Sequence, residues 1–211
     1  MNSEQDRYDL VVLVADKNME NSIKGILERP ESIRIKKIKS EIYTHPHRDP
    51  GCRNKGHDYL RPFVNSCRHA LVILDKEGCG KEKLTREALE NEIEDHLKIS
   101  GWGDRAAAVV IDPELENWLW SDSPEVEFVL GWKGKNPPLR RWLEDKGFLS
   151  GNSVKPSQPK EAVESALRIA NKPRSSSIFY QLAKAVSLKH CQDPAFLKFK
   201  TKLFQWFGQK F

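Results

Sequence analysis

The chain has 211 residues, the length of one domain or of one domain with an appendage. Hydrophobic residues make up 38% and charged residues 31%, so a core can form beneath a heavily charged surface. No apolar run approaches the ~20 residues that span a bilayer, and the polar start MNSEQDRYDL lacks the order of a signal peptide. A membrane protein, collagen and a coiled coil are therefore excluded, and a cytoplasmic protein is expected.

Cys52, Cys67, Cys79 and Cys191 form no CxxC pair, so reduced thiols are expected rather than a disulfide framework or a zinc site. The formal net charge of +5 is unevenly spread: beyond residue 150 there are 11 Lys+Arg against 3 Asp+Glu. An acidic body with a basic tail is a layout that suits a polyanion-binding surface.

Asp9 to Ala15 (DLVVLVA) is a short valine-rich run suited to a strand buried on both faces. Asn18 is expected to cap a helix over Glu20–Glu28 that stops at Pro30. Ser32 to Tyr43 sets Ile33, Ile35 and Ile38 among charges and predicts a more exposed strand with one slip in its period. THPHRDPGCRNKG, with two prolines and two glycines, predicts a long polar loop, followed by a helix over His57–His69. Ala70 to Leu74 (ALVIL) is a second buried strand ending in Asp75, and Leu84–Ile99 an amphipathic helix. Ala106 to Ile111 (AAAVVI) is a third buried strand, ending in Asp112.

Strands joined through helices imply parallel pairing, hence an α/β fold. After Pro113 the chain reads as helices: Glu114–Trp120, Glu125–Trp132, Pro138–Lys146, Pro159–Asn171, Ile178–Lys189 and Pro194–Phe207. The expected division is an α/β domain over 1–146, a linker over 147–159 and a basic helical extension over 160–211.

Ligands collect at the carboxyl ends of strands in open parallel sheets. Three predicted strands end there in an acid, Asp16, Asp75 and Asp112, each followed at short range by more: Glu20, Glu77, and the pair Glu114 and Glu116. Converging carboxylates repel unless a cation neutralises them, and hard divalent ions such as Mg²⁺ take oxygen ligands while keeping waters. An acid after a strand is otherwise a helix cap or turn former. In the loop, Arg48 could grip a phosphate, with Asp49 and a histidine (His45, His47 or His57) beside it as acid or base. Zinc through His45, His47 and Cys52 fits no established spacing. Gly78–Glu87 (GCGKEKLTRE) lacks the spacing and the Ser/Thr of a Walker A loop, so its glycines are read as a turn. Trp118, Trp120, Trp132 and Trp142 are read as core rather than as stacking platforms.

The tail sets Phe196, Phe199, Leu203, Trp206 and Phe207 at helical spacing among Lys184, Lys189, Lys198, Lys200, Lys202 and Lys210. Such a helix can dock on nucleic acid, on a partner, or on the acidic body itself.

The blocks LVVLVADKNMEN, HRDPGC, LVILDKEGCG and VVIDPELENWLW together resemble the small Toprim-related proteins of bacterial anti-phage loci. The likeness covers roughly residues 9–120 and is one of layout. Here Asp16-Lys17-Asn18 stands where Toprim proteins usually show Glu-Gly, and Asp75-x-Glu77 where they show Asp-x-Asp. The resemblance implies a mostly parallel Toprim-like sheet flanked by helices. It also implies Mg²⁺ or Mn²⁺ held by Asp16, Glu20, Asp75, Glu77, Asp112 and Glu116, with Arg48, Asp49 and Glu114 in catalysis. The expected function is a divalent-metal-dependent phosphodiesterase or nuclease acting on nucleic acid in antiviral defence. The alternative is a degenerate subunit that binds other proteins of a defence complex.

Overall fold

The structure is a computed structural model that describes residues 8–209 except 122, 152, 154, 189 and 190. Strands β1 (Tyr8–Val14), β2 (Ser40–Thr44), β3 (Cys67–Asp75) and β4 (Ala106–Ile111) alternate with helices α1 (Lys17–Leu27), α2 (Arg48–Leu60) and α3 (Arg86–Leu97). Helices α4 (Glu116–Leu119), α5 (Pro124–Val129), α6 (Leu139–Asp145), α7 (Pro159–Ile169), α8 (Ser176–Ala185) and α9 (Pro194–Phe207) follow. The sheet is parallel throughout, in the order β2-β1-β3-β4, which is an α/β fold. Among the described residues no helix is long and apolar enough to cross a membrane.

The valine-rich runs form the central strands because helices cover both of their faces. Leu10 to Ala15 and Ala70 to Leu74 are fully or almost fully buried, whereas β2, at one edge, is half-buried along its length. Strand β4 forms the other edge, where the N–H groups of Ala108 and Val110 donate to the carboxylates of Glu94 and Glu90 on α3, each at 3.0 Å. A helix thus supplies the acceptors that a further strand would have offered. Lys198 of α9 bonds both acids, at 3.1 Å and 2.7 Å, and Arg86 holds Glu90 from the other side. The basic helix α9 is therefore docked on the acidic body. Lys189 and Lys210 lie outside the described residues.

The C-terminal helices close over the sheet. Helix α8 lies against α1 at Gly25, where an added Cβ would meet Ala183 Cβ and the Tyr180 carbonyl at 2.9 Å. Arg29 donates to the Ala183 and Val186 carbonyls and so satisfies the end of α8. The tryptophans belong to the core: the indole N–H groups of Trp118, Trp120 and Trp132 donate to Asp193, the Pro159 carbonyl and the Pro137 carbonyl. Among the described residues no disulfide joins the cysteines.

Three local expectations change. The segment read as a loop from Thr44 is helical from Arg48, and α2 ends at Leu60, so Cys67 to His69 pass to β3. Pro50 sits in the first turn of α2, where its missing N–H is not needed. Gly51 and Gly56 let the helix approach its neighbours. A Cβ on Gly51 would lie 2.0 Å from His45 Nδ1, and one on Gly56 would touch Leu13 and Val72 at 3.5 Å. The expected strand over 32–43 shortens to Ser40–Thr44, because Pro30–Ile33 form a tight helical turn and Arg34 takes a left-handed φ of 61°. Helix α1 is capped by Asp16 instead of Asn18: Asp16 Oδ1 accepts from the Met19 N–H at 2.9 Å.

Candidate functional site

The order β2-β1-β3-β4 reverses direction between β1 and β3, so the crevice for a ligand opens beyond the carboxyl ends of those two strands. Asp16 follows β1 and Asp75 ends β3, one on each side of that crevice. Asp49, in the first turn of α2, is tied to the same edge: its Oδ1 accepts from the Asp75 N–H at 2.8 Å.

Asp75 is the electrostatic centre. Its Oδ1 is buried without a hydrogen-bond partner among the described residues. Burial pushes its carboxyl well above the usual range, and the carboxylates of Asp49, Glu116, Asp16 and Glu114 add to the shift. Burial also raises Asp49 and Glu114, and it pushes Glu116 up to about 7. Five acids from β1, β3 and the starts of α2 and α4 thus act on one another across the end of the sheet.

The remaining sequence candidates are engaged elsewhere or stand in solvent. Glu20 accepts from Lys17 at 2.6 Å and from the Thr44 hydroxyl at 2.8 Å. Asp112 pairs with Lys76 at 2.8 Å. Glu77 is exposed, and its charge acts on Glu114. His45 is buried, its Nδ1 accepts from the His47 N–H at 3.0 Å, and burial lowers its pKa. Gly78 and Gly80 both take φ of 83°, the left-handed turn that glycine favours, and Arg53 donates to the Cys79 carbonyl beneath them.

A cleft of about 580 Å³ opens over this edge, lined by Asp16, Lys17, Thr44, His45, Arg48, Lys160 and Arg174 among others. Lys160 and Arg174 come from the C-terminal half and did not stand out in the sequence. Glu114, 7% exposed, accepts from the Lys160 backbone N–H at 3.0 Å, with the Lys160 ammonium 3.8 Å away. Glu116, 4% exposed, pairs with Arg174 at 3.3 Å, and Arg174 also grips Glu164. No spacing within a single motif could have announced these cations, because α7 and α8 reach the sheet only through tertiary packing.

The donor set is oxygen-rich, which suits a hard divalent ion, and the unpartnered Asp75 Oδ1 is the atom that lacks a counter-charge. Among the described residues no three His, Cys, Asp or Glu side chains are grouped to hold a metal ion. Mg²⁺ commonly uses one or two carboxylates, waters and a substrate phosphate in place of a full protein cage, so the residues fit a site of that kind. No protein-family model, no curated protein and no solved structure matches the chain.

Proposed function

We propose that the protein is a divalent-cation-dependent phosphodiesterase acting on nucleic acid, with its centre at the β1/β3 crevice. The observation that carries this reading is the buried Asp75 Oδ1, without a hydrogen-bond partner among the described residues and amid other carboxylates, together with a cleft at the ends of β1 and β2 that Asp16, Arg48, Lys160 and Arg174 line. Carboxylates for a cation beside cationic side chains for a phosphate are the pairing that phosphodiester chemistry uses.

Asp75 and Asp16 would hold Mg²⁺ or Mn²⁺, since Asp16 spends only Oδ1 on the α1 cap. Such an ion, when bound, offsets charge on the phosphate and on the leaving oxygen. Asp49 fixes the end of β3 through the Asp75 N–H. Its raised carboxyl makes it the group to take a proton from an attacking water. Arg48 stands next in sequence and lines the cleft, placed to hold the phosphate. Glu114, also raised, is the second candidate for a proton transfer, at the leaving oxygen.

The resemblance to Toprim-related proteins of anti-phage loci supports antiviral defence as the setting. A second reading has its own observation. Asp112, Glu114 and Glu116 are each paired with a cation of the chain, Lys76, Lys160 and Arg174. Such self-neutralisation suits a degenerate subunit that serves other defence proteins as a partner. Cleavage assays on labelled DNA and RNA with Mg²⁺, Mn²⁺ or EDTA separate the two. The enzyme reading expects metal-dependent cleavage that Asp75→Asn abolishes. Equal inactivity of both proteins, or cleavage unaffected by EDTA, would refute it.

A further inference from the structure

The two edges of the sheet are finished differently. At β4 the outward N–H groups of Ala108 and Val110 are taken by Glu94 and Glu90. At β2 the Lys39 carbonyl accepts from the Leu10 N–H, and the His45 N–H donates to the Val14 carbonyl. Bonds in a parallel pair alternate along each strand, so the odd-numbered residues of β2 face β1. Ser40, Ile42 and Thr44 therefore turn their N–H and C=O groups outward, where no strand follows. Among the described residues no group bonds them there.

A groove of about 600 Å³ opens beside this bare edge, and Ser40 and Ile42 form part of its wall. Leu27, Pro30, Ile38 and Ile42 give it an apolar lining, to which Lys24, Lys37 and Lys184 add cations. The acids within reach are already engaged. Glu20 accepts from Lys17 and Thr44, Glu28 from Tyr180 and Lys184, and Glu41 from the Tyr8 hydroxyl. Lys24 acts on Glu20 and Glu28 only through its field. Lys37, with Arg34 and Lys36 exposed in the segment that leads into β2, forms no ion pair among the described residues. The edge thus combines unpaired backbone groups, an apolar groove and a surplus of positive charge.

We propose that the β2 edge is a docking site for an acidic polypeptide segment of a partner protein, which adds to the sheet as an extended fifth strand. Its backbone pairs with Ser40, Ile42 and Thr44, as strands added to open sheet edges do. Every second side chain of such a segment points to one face, so apolar residues at alternate positions enter the groove. Its carboxylates meet Lys24, Arg34, Lys36 and Lys37. The phosphates of a nucleic-acid strand would use the cations but neither the backbone groups nor the apolar lining. A second copy of this chain would bring the same lysines against themselves, and lysines beside an open edge oppose such self-pairing. The inference does not rest on the chemistry of the β1/β3 crevice.

The test measures fluorescence polarisation of a short labelled peptide of alternating valine and aspartate, with the full chain at low salt. Saturable binding is expected, together with its loss when lysine replaces aspartate in the peptide. Ser40→Pro removes an outward N–H at the first residue of the strand, where proline is tolerated. That variant and Lys37→Glu should each weaken binding on the order of tenfold. Lys98→Glu, beyond α3 on the far side of the sheet, should leave it unchanged. Circular dichroism checks folding, and Lys37→Glu alone decides the matter if Ser40→Pro unfolds.

No binding of the acidic peptide would overturn the site. So would equal binding of the lysine peptide, binding that survives the substitutions, or equal weakening by Lys98→Glu. Two further results would also contradict it. One is a labelled oligonucleotide that displaces the peptide and depends on Lys37 but not on Ser40. The other is a dimer of the native chain, seen by sedimentation, that Ser40→Pro separates.

Discussion

Asp75 is fixed by its own backbone, through the N–H that donates to Asp49, while its Oδ1 is buried with no hydrogen-bond partner among the described residues. A carboxylate so placed destabilises the cation-free protein. Asp75→Asn is therefore expected to raise stability in EDTA by about 1–2 kcal/mol in urea melts, while removing cation binding. Glu116 adds a pH dependence. The unfolded chain releases this proton near the ordinary glutamate value of 4.5, whereas burial in the folded protein holds it up to about 7. Stability in EDTA should thus fall as pH rises through that window, by at most about 3 kcal/mol for this group. Urea melts across the window should show that loss, and Glu116→Gln should reduce it, the raised carboxyls of Asp75, Asp49 and Glu114 keeping the remainder. The strand-end acids were legible because an acid after an apolar run is a local pattern. Their rank was not: Asp112 is taken up by Lys76 and Glu20 by Lys17 and Thr44, and both partnerships depend on side-chain placement.

At the scale of elements, the central strands announced themselves because burial on both faces demands continuous apolar runs. Helix α2 did not, since its glycines and polar residues carry no helical stripe. What holds it is close approach to His45, Leu13 and Val72. Gly51→Ala is expected to cost about 1–3 kcal/mol in urea melts, as overpacking against the buried His45 ring. It should also disturb Arg48 and Asp49 at the start of the same helix. The β4 edge gives a complementary prediction. Glu90→Ala would strand the Val110 N–H and leave Arg86 and Lys198 without a buried partner. A loss of about 3–5 kcal/mol is expected in the same melts. A side chain acting as acceptor for an edge strand leaves no mark in a helical periodicity, so nothing in the amphipathic pattern over Leu84–Ile99 singles out Glu90.

Across the whole molecule, the charge asymmetry pointed to a basic tail available to polyanions, and the structure spends part of it internally. Lys198 neutralises Glu90 and Glu94, Phe196 and Phe199 pack around Trp118, and Trp206 stacks on His69 at 4.5 Å. Removal of residues 151–211 would bare these apolar contacts and the Lys160 and Arg174 side of the cleft. The shortened chain is expected to lose its cooperative thermal transition, as read by circular dichroism. Sequence separation hid this arrangement: Arg174 meets Glu116 from 58 residues away.

The central claim is that Asp75 anchors a divalent-cation site at the β1/β3 crevice. Calorimetric titration of Mn²⁺ and Mg²⁺ into the full chain and into Asp75→Asn tests it directly. Saturable binding by the native protein that is lost in the variant is the predicted result. Absence of binding by the native protein, or identical isotherms for the two, would contradict it.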